Sequence, residues 1–291
     1  MGLDCRSGRL YVDGTVGEGG HAAAILRRTA PDGKLWGLDR DPAVLKIAAG
    51  RLAPYTSRFR LFHRSYAQLG EMLAETGEPA PAGILLDLGL SLQQLQRSGR
   101  GFSFQGEEPL DMRFNPEEPG QTAADILNRA TPAEIEKIFK EYGEEPHARR
   151  YARLVVASRR QHPFRFTHQL AALVQQAQGP GRRRGERHPA TRVFQALRIA
   201  VNRELEELAL FLGEAPGWLA PGGRLAVISY HSLEDRLVKQ RMQAWEQAGV
   251  MRRLTGKPLA PSAGEVEQNP RARSAKLRVA EKIGNYTWRH K

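Results

Sequence analysis

Hydrophobic and polar positions in the first hundred residues follow two periodicities in turn. Short runs with the composition of β-strands occupy residues 9–13, 34–39, 59–63 and 83–88. Segments with helical spacing lie between them, at residues 20–29, 42–52 and 66–75. Because strands that alternate with helices are typical of a parallel sheet covered by helices, the sequence predicts an α/β fold.

The same alternation returns near the end of the chain. A strand is predicted at residues 223–229, after the turn Ala-Pro-Gly-Gly, and it leads into a helix at residues 232–247. Two weaker strand patterns, residues 250–255 and 277–283, would close the sheet as a terminal hairpin. The link between them, residues 256–269, is rich in proline and polar side chains and is predicted to be irregular.

Between these two parts the pattern is helical. Thr131, Pro132 and Glu134 form a helix-start signature, with a capping threonine, proline at the first helical position and glutamate at the third. Further helices are predicted at residues 122–129, 147–160 and 167–178.

A stripe of apolar residues with helical spacing, from Phe194 to Leu212, is predicted to pack against the sheet. The sequence therefore predicts a discontinuous sheet domain, residues 1–104 and 190–291. An all-helical domain is predicted as an insertion at residues 105–189.

The net charge of +12 changes the picture because it is concentrated in one part of the chain. Residues 147–203 carry thirteen arginines, no lysine and one acidic residue, Glu186. Such a bias favours bidentate contacts with phosphates over a merely solvated surface. We therefore expect a nucleic-acid partner, with Arg182, Arg183 and Arg184 in a basic loop among the contacts.

Several protein classes are disfavoured by the sequence. No apolar run approaches the roughly 18 residues that a membrane span needs, and a signal-peptide core is absent. The single cysteine, Cys5, excludes an internal disulfide and a cysteine-cluster metal site, and without a His-rich pattern no metal is predicted. We expect a cytoplasmic protein without a membrane or metal partner.

A glycine-rich turn, Asp13-Gly-Thr-Val-Gly-Glu-Gly-Gly-His21, follows the first predicted strand and opens a helix. Asp39 ends the second strand, twenty-two residues after Gly17, where an acid can accept hydrogen bonds from both ribose hydroxyls. This pair indicates an adenosine-containing ligand, either NAD or S-adenosylmethionine. The Gly17-x-Gly19 spacing behind the acidic Asp13, and the acid Asp87 in which the fourth strand ends, are similar to class I methyltransferases and favour S-adenosylmethionine.

Eight motifs in order along the chain resemble those of the bacterial 16S rRNA (cytosine-N4)-methyltransferases. They are YVDGTVGEGGH, GLDRDP, GILLDLGLS, RGFSF, PLDMR, FQALRIAVNREL, HSLEDR and NPRARSAKLRVAEK. The resemblance implies a class I, Rossmann-like S-adenosylmethionine methyltransferase sheet with an inserted helical, substrate-binding domain. It also implies methylation of the N4 amine of a cytidine in the decoding region of the small ribosomal subunit.

The same resemblance assigns residues to the donor pocket. Gly19, Gly20 and His21 would contact the methionine end of S-adenosylmethionine. Asp39 would hold the ribose and Tyr66 would lie against the adenine. The donor pocket would be completed by Asp87 and Gln94, although Leu92 and Gln93 stand where the family usually has Ser-Pro.

Asp87 and Asp111 are the predicted catalytic residues, because acceptors for the amine N–H groups would localise the nitrogen lone pair. The tetrapeptide that DNA amino-methyltransferases use after strand four is absent, since this chain has Asp87-Leu88-Gly89-Leu90 there. As an alternative, Asp111 pairs with Arg113 or Arg100 as part of the loop structure.

RNA is predicted to be bound by Arg113, Arg182, Arg183, Arg184, His231, Ser232, Asn269, Arg271, Ser274 and Lys276. For His231 and Ser232 the alternative is a helix start with Ser232 as its cap. The expected partner is 16S rRNA in the small subunit, and a homodimer is left open. Two other functions stay open: a DNA or small-molecule methyltransferase, and a non-catalytic ribosome-assembly factor.

Overall fold

The computed structural model describes residues 2–178 and 188–284. The chain divides into two compact units. The first comprises Met1–Gly89 and Leu205–Lys291, and the second is Leu90–Glu204. No helix within the described ranges is both long and apolar enough to cross a membrane.

A mixed seven-stranded sheet forms the centre of the first unit. Its strands are β1 (Leu10–Asp13), β2 (Lys34–Asp39), β3 (Phe59–His63), β4 (Gly83–Asp87), β5 (Arg224–Ser229), β6 (Met251–Arg253) and β7 (Lys276–Lys282). The strand order is β3-β2-β1-β4-β5-β7-β6. The pairs among β1 to β5 are parallel, whereas β7 pairs antiparallel with both β5 and β6. The predicted parallel sheet with a terminal hairpin is confirmed.

Helices of both units are numbered in chain order. They are α1 (Gly20–Arg28), α2 (Pro42–Leu52), α3 (Leu69–Thr76), α4 (Leu92–Arg97), α5 (Ala123–Arg129), α6 (Pro132–Glu141), α7 (Ala148–Arg159), α8 (Thr167–Gln178), α9 (Ala190–Asn202), α10 (Glu204–Trp218), α11 (Ser232–Gln247) and α12 (Ala263–Gln268). Short 3₁₀ helices occupy Ala53–Tyr55, Tyr66–Gln68 and Pro270–Ser274.

Both faces of the sheet are covered by apolar side chains. Alternate residues of β1 point to opposite faces, as the pleat of a strand requires. Val12 therefore belongs to one buried cluster, with Trp36 and Phe211, and Tyr11 to another, with Leu26. A parallel sheet buried on both faces explains why its strands are predominantly apolar.

The second unit consists of helices packed around a single buried cluster that includes Phe139, Tyr151 and Phe164. The predicted start of α6 is confirmed, because Thr131 and Glu134 form a reciprocal capping box. This unit extends beyond the predicted insertion at both ends. The flanking residues bury their side chains with those of the helices, as Phe102 and Phe194 do.

Three predictions of secondary structure are corrected by the structure. The stripe from Phe194 to Leu212 is interrupted at Arg203, whose left-handed backbone (φ 53°) separates α9 from α10. Phe194 consequently packs within the second unit, and Leu212 within the sheet unit. The predicted irregular link contains α12, because Ser262 caps the backbone N–H of Glu265. The helix predicted from residue 66 begins as a 3₁₀ turn.

Candidate active site

The five parallel strands, β1 to β5, end at one edge of the sheet, which we call the carboxyl edge. Four of them, β1, β2, β4 and β5, lie next to the point at which the strand order reverses. The last residues of these strands are Asp13, Asp39, Asp87 and Ser229. Strand order reverses between β1 and β4, where open α/β sheets form their ligand crevice. Three predicted or candidate acids therefore surround one crevice in the first unit.

The glycine turn, residues 14–20, joins β1 to α1 across this crevice. The N–H of Gly14 donates to the carbonyl of Leu85 (2.9 Å). A Cβ at Gly14 would lie 2.5 Å from Leu86 Cδ2, so a larger residue would require Leu86 to move. Gly19 has a left-handed backbone (φ 82°), and no side chain of the described residues caps α1 after it. The first amides of α1 are thus available to an anionic ligand group.

Asp39 is anchored by the backbone next to this turn. Its Oδ2 accepts a hydrogen bond from the N–H of Gly17 (3.0 Å) and its Oδ1 accepts one from the N–H of Asp41 (3.0 Å). Burial raises the pKa of Asp39 to about 6, and these backbone hydrogen bonds oppose the rise. Arg40 also contributes a backbone hydrogen bond, so three of the four lone pairs of the carboxylate are engaged and one remains for a ribose hydroxyl.

Asp13 is the site residue that sequence reasoning did not select. Its side chain is buried, and Oδ2 has no hydrogen-bond partner among the described residues. Burial raises its pKa to about 7, while the charge of His21 opposes that rise. An acid at the end of β1, directly before the glycine turn, was the signal that could have identified it.

Asp87 lies at the centre of a small polar cluster. Its Oδ1 accepts a hydrogen bond from the Tyr230 hydroxyl (2.9 Å), and its Oδ2 lies 3.4 Å from His21 Nε2. The backbone N–H of Asp87 donates to Thr15 Oγ1 (2.6 Å). The neighbouring Asp87 carboxylate raises the pKa of His21. The structure thus brings two residues of the predicted S-adenosylmethionine site, His21 and Asp87, into contact.

Thr15 and Tyr230 were not predicted as partners of Asp87. Tyr230 follows β5, which pairs directly with β4. Spatial adjacency of these strand ends depends on strand order, which a single sequence does not reveal. Knowledge of the order β1-β4-β5 would have been sufficient to find both side chains.

Tyr66 lies beside the glycine turn, as its predicted donor contact requires. A Cβ at Gly14 would be 3.0 Å from Tyr66 Cβ. The aromatic ring is partly buried and meets Phe211 edge-on, with 5.5 Å between ring centroids. Ser65 caps the short 3₁₀ helix that begins at Tyr66. The adenine contact of Tyr66 stays a prediction.

Gln94 belongs to the second unit, where it is buried and caps a helix. Ser91 Oγ accepts from the N–H of Gln94 (3.1 Å), and Gln94 Oε1 accepts from the N–H of Ser91 (3.0 Å). This reciprocal capping box starts α4. The predicted donor contact of Gln94 stays a prediction.

Asp111 and Arg113 form a bidentate ion pair in the second unit. Arg113 Nε donates to Asp111 Oδ1 (2.8 Å) and Nη2 donates to Oδ2 (2.7 Å). Burial alone would raise the pKa of Asp111, but the Arg113 hydrogen bonds outweigh it and lower that pKa. The structural alternative of pairing with Arg113 is confirmed, whereas Arg100 donates to the carbonyl groups of Arg113 and Phe114. The catalytic role of Asp111 and the RNA contact of Arg113 stay predictions.

His231, rather than Ser232, is the N-cap of α11, which corrects the alternative proposed for this helix start. The His231 side chain accepts a hydrogen bond from the N–H of Glu234 (3.4 Å), and His231 Nε2 lies 3.1 Å from Glu234 Oε1. Ser232 is the first helical residue. The extended backbone of His231 allows it to cap, and Ser232 already has helical geometry.

Four other predicted RNA contacts lie in a short stretch before or at the start of β7. Lys276 pairs with Ser229 in the β5–β7 register, so the stretch reaches the carboxyl edge. Lys276 Nζ donates to Asp235 Oδ2 (3.2 Å) and remains half exposed. Asn269 precedes the 3₁₀ helix that contains the exposed Arg271 and also Ser274. Arg182, Arg183 and Arg184 lie outside the described residues.

Metal ligation has no candidate within the described ranges, because no group of three or more His, Cys, Asp or Glu side chains there could hold an ion. The acids at the carboxyl edge end adjacent strands in the order Asp39, Asp13, Asp87, an arrangement that suits an elongated ligand with several polar groups.

Comparison with known proteins connects this geometry with a family. The model of the MraW methylase family matches residues 1–283. Proteins named ribosomal RNA small subunit methyltransferase H are similar along nearly the whole chain. The relative from Synechococcus sp. (strain JA-2-3B'a(2-13)) is 51% identical over 289 residues, covering 96% of this chain and 87% of its own. Those from Geobacter sulfurreducens and Desulfosudis oleivorans are 48% and 46% identical, each covering 97% of this chain and 95% of its own. The chain therefore belongs to the MraW methylase family.

Proposed function

We propose that the protein transfers a methyl group from S-adenosylmethionine to the exocyclic N4 amine of a cytidine in 16S rRNA of the small ribosomal subunit. The observation that carries this proposal is the set of three acids, Asp13, Asp39 and Asp87, around the glycine turn at the carboxyl edge. Family membership supports it, since the relatives are named as small-subunit ribosomal RNA methyltransferases.

The residues at this edge fit S-adenosylmethionine, which supplies an electrophilic methyl group when bound. Asp39 retains a lone pair for a ribose hydroxyl. The buried Asp13 Oδ2, which lacks a partner among the described residues, would accept from the donor's ammonium group. Amides in the first turn of α1 would face its carboxylate.

Asp87 is the best placed acceptor for the N–H groups of the target amine. A cytosine amine is a poor nucleophile because its lone pair is delocalised into the ring. A carboxylate that accepts its N–H would localise the lone pair and stabilise the positive charge that develops on nitrogen. Asp87 is preferred to Asp111 because both oxygens of Asp111 are already bound by Arg113.

The protein's own contribution is mainly alignment. Donor and acceptor react by in-line displacement, so holding both in one geometry supplies much of the rate. A strong base is unnecessary, because the amine proton becomes acidic once the methyl group is attached. The target base has to leave its stack to reach the crevice.

RNA contacts are proposed for two basic regions. One is the stretch with Asn269, Arg271, Ser274 and Lys276 beside the carboxyl edge, and His231 and Ser232 would extend it. The other comprises Arg113 and the arginine-rich part of the second unit. We also infer a cytoplasmic location, because the proposed substrate is the small ribosomal subunit. A homodimer stays a prediction.

The decisive experiment is methyl transfer to isolated small subunits from S-adenosylmethionine with a labelled methyl group. Nucleoside analysis should find the label in N4-methylcytidine. Label in 5-methylcytidine would contradict the amine chemistry, and no transfer by a protein that binds both ligands would favour a non-catalytic assembly factor. Transfer to DNA but not to subunits would favour the DNA methyltransferase alternative.

Replacement of Asp87 tests the assigned acceptor. Asp87→Asn should lower the single-turnover rate about 100-fold or more while RNA affinity is nearly unchanged, because the lost interaction belongs to the transition state. Asp4→Asn, an exposed acid paired with Arg6 in the same unit, is the control and should react at the normal rate. A normal rate for Asp87→Asn would remove Asp87 from the chemistry.

A further inference from the structure

Tyr230 is held firmly against Asp87. It follows β5, and its backbone N–H donates to Glu234 Oε2 (2.9 Å). Its ring lies against Gly89, where a Cβ would come within 3.3 Å of Tyr230 Cδ2. Gly89 also has a positive φ of 108°, so a side chain there would be strained as well as crowded. The glycine shortly after β4 thus leaves room for the tyrosine.

The Tyr230 hydroxyl is a fixed hydrogen-bond donor at this position. It donates to Asp87 Oδ1 over 2.9 Å. Burial and the negative charge of Asp87 raise the pKa of the phenol above its ordinary value. The hydroxyl consequently keeps its proton at neutral pH, and the bond to the carboxylate is charge-assisted.

A purely structural purpose does not account for this hydrogen bond. Strands β4 and β5 are already joined by a five-residue parallel ladder. The N–H of Leu88 extends that ladder by donating to the carbonyl of Ile228 (2.9 Å). Removing the phenol oxygen therefore leaves the strand pairing intact and changes only the surroundings of the carboxylate.

The two oxygens of Asp87 have different neighbours. Oδ1 faces the phenol of Tyr230 and Oδ2 faces the ring of His21. Rotation of the carboxylate would break both interactions, so its plane is fixed. Because the plane is fixed, the free lone pair of each oxygen has a defined direction. A group that accepts a hydrogen bond from an amine N–H requires such a defined direction.

We propose that Tyr230 is a positioning residue for the methyl transfer, which acts through Asp87 by holding that carboxylate in the orientation that accepts the target N–H. This inference rests on the proposed function of the carboxyl edge. Tyr230 touches neither the methyl group nor the amine in this role. Its effect is confined to the rate of the chemical step.

Replacement of Tyr230 by Phe separates positioning from structure. We expect Tyr230→Phe to lower the single-turnover rate about 10- to 100-fold, because the Asp87 carboxylate loses the fixed orientation that the transition state requires. RNA affinity and donor affinity should change less than about threefold, because binding does not depend on the carboxylate orientation. The assay uses the full chain, isolated small subunits and labelled S-adenosylmethionine.

Tyr11→Phe is the matched control. Tyr11 lies in the same sheet, is buried, and its hydroxyl accepts from the N–H of Arg6 (2.7 Å). Both variants should lose similar thermal stability, but Tyr11→Phe should keep the wild-type rate. Equal rate losses in the two variants, or a wild-type rate for Tyr230→Phe, would overturn the proposal.

A double-mutant cycle shows whether Tyr230 acts through Asp87. In the Asp87→Asn background, Tyr230→Phe should change the rate less than about twofold, because the carboxylate that it positions is gone. Fully additive losses would overturn the mechanism. If Asp87→Asn is too slow to measure, the comparison with Tyr11→Phe decides. Failure of the wild-type protein to methylate subunits would instead contradict the proposed function.

Discussion

Asp13 is the residue whose surroundings differ most from those of an ordinary surface acid. Its carboxyl group is buried, and one oxygen lacks a hydrogen-bond partner among the described residues. A buried polar atom without a partner destabilises the folded protein, and it is retained where a ligand completes it. Replacing Asp13 should therefore raise the stability of the folded protein and weaken the binding of S-adenosylmethionine.

Replacement of Asp13 by Asn tests this opposition. The folded-state pKa is raised to about 7, so the folded protein keeps a proton that the unfolded chain releases near pH 4. Stability from this group is complete below pH 4 and is lost as the pH rises towards 7 and beyond. The free energy of unfolding of Asp13→Asn, relative to that of wild type, should consequently rise by about 2–4 kcal/mol between pH 4 and pH 8.

Denaturant unfolding of both proteins across that pH range measures the difference. Calorimetry should at the same time find weaker donor binding to Asp13→Asn at pH 8. Asp32→Asn is the control, because Asp32 accepts from the N–H of Gly8 (2.7 Å) away from the crevice. A stability difference between Asp13→Asn and wild type that is independent of pH would contradict the raised pKa.

Asp39 should contribute to donor binding more directly. Asp39→Ala removes the acceptor for ribose hydroxyls and the anchor of the Gly17 N–H. We expect donor affinity to fall by about 1–3 kcal/mol, as for loss of charge-assisted hydrogen bonds. Isothermal calorimetry with S-adenosylmethionine measures it, with Asp32→Ala as the control. Equal affinity of Asp39→Ala and wild type would remove Asp39 from the donor site.

At the scale of elements, local signals explain which predictions succeeded. Alternation and capping are properties of neighbouring residues. The sequence therefore identified the strands at residues 34–39 and 59–63 and the capping box at Thr131. The break at Arg203 could not be predicted, since an arginine with a left-handed backbone has no composition signal. Helix α12 was also missed, because it is short and polar.

Helix α7 and its C-cap residue present an arginine stripe that we define as Arg149, Arg153 and Arg160. The three side chains are exposed and lie on one helical face over about 16 Å. Within the described ranges these three form no ion pair, whereas Arg159 on the same helix donates to the carbonyl groups of Leu127 and Ala130. An unpaired stripe of this kind suits the phosphate groups of RNA.

The arginine stripe should therefore contribute to RNA affinity through charge. Changing all three residues to Gln should weaken RNA binding and reduce the slope of log affinity against log salt by up to about 2–3. The matched control changes Arg9, Arg27 and Arg28 to Gln. These cations lie next to the amino ends of β1 and β2, opposite the carboxyl edge. Equal slopes for the stripe variant and wild type would identify the stripe as a solvated surface.

For the whole molecule, the sequence predicted the fold class and the parallel sheet but only part of the site. Asp39 and Asp87 end strands, and Gly19 and His21 lie at the start of a helix. Such positions can be read from a sequence. The Tyr230–Asp87 contact joins residues 143 positions apart and depends on strand order. Long-range pairing of this kind has no local signature, so the chemistry of the site was less predictable than its location.

The distribution of charge over the whole chain leads to a last prediction. The thirteen arginines of residues 147–203 belong to the second unit. The residues of the predicted S-adenosylmethionine site, apart from Gln94, belong to the first. Donor binding should accordingly slow amide exchange in the glycine turn and at the ends of β2 and β4, and leave α5 to α8 unchanged. A 16S rRNA fragment should instead protect α7.

Hydrogen-exchange mass spectrometry with each ligand separately measures both patterns. Helix α4 is the informative segment, because Gln94 is buried there and already caps the helix. Donor-dependent protection of α4 would support the predicted contact of Gln94, and unchanged exchange would leave Gln94 a purely structural residue. Donor protection that is as strong in α5 to α8 as in the glycine turn would contradict the assignment of the donor site to the first unit. Such a result would also mean that RNA and donor affinity cannot be changed independently by substitutions in the separate units.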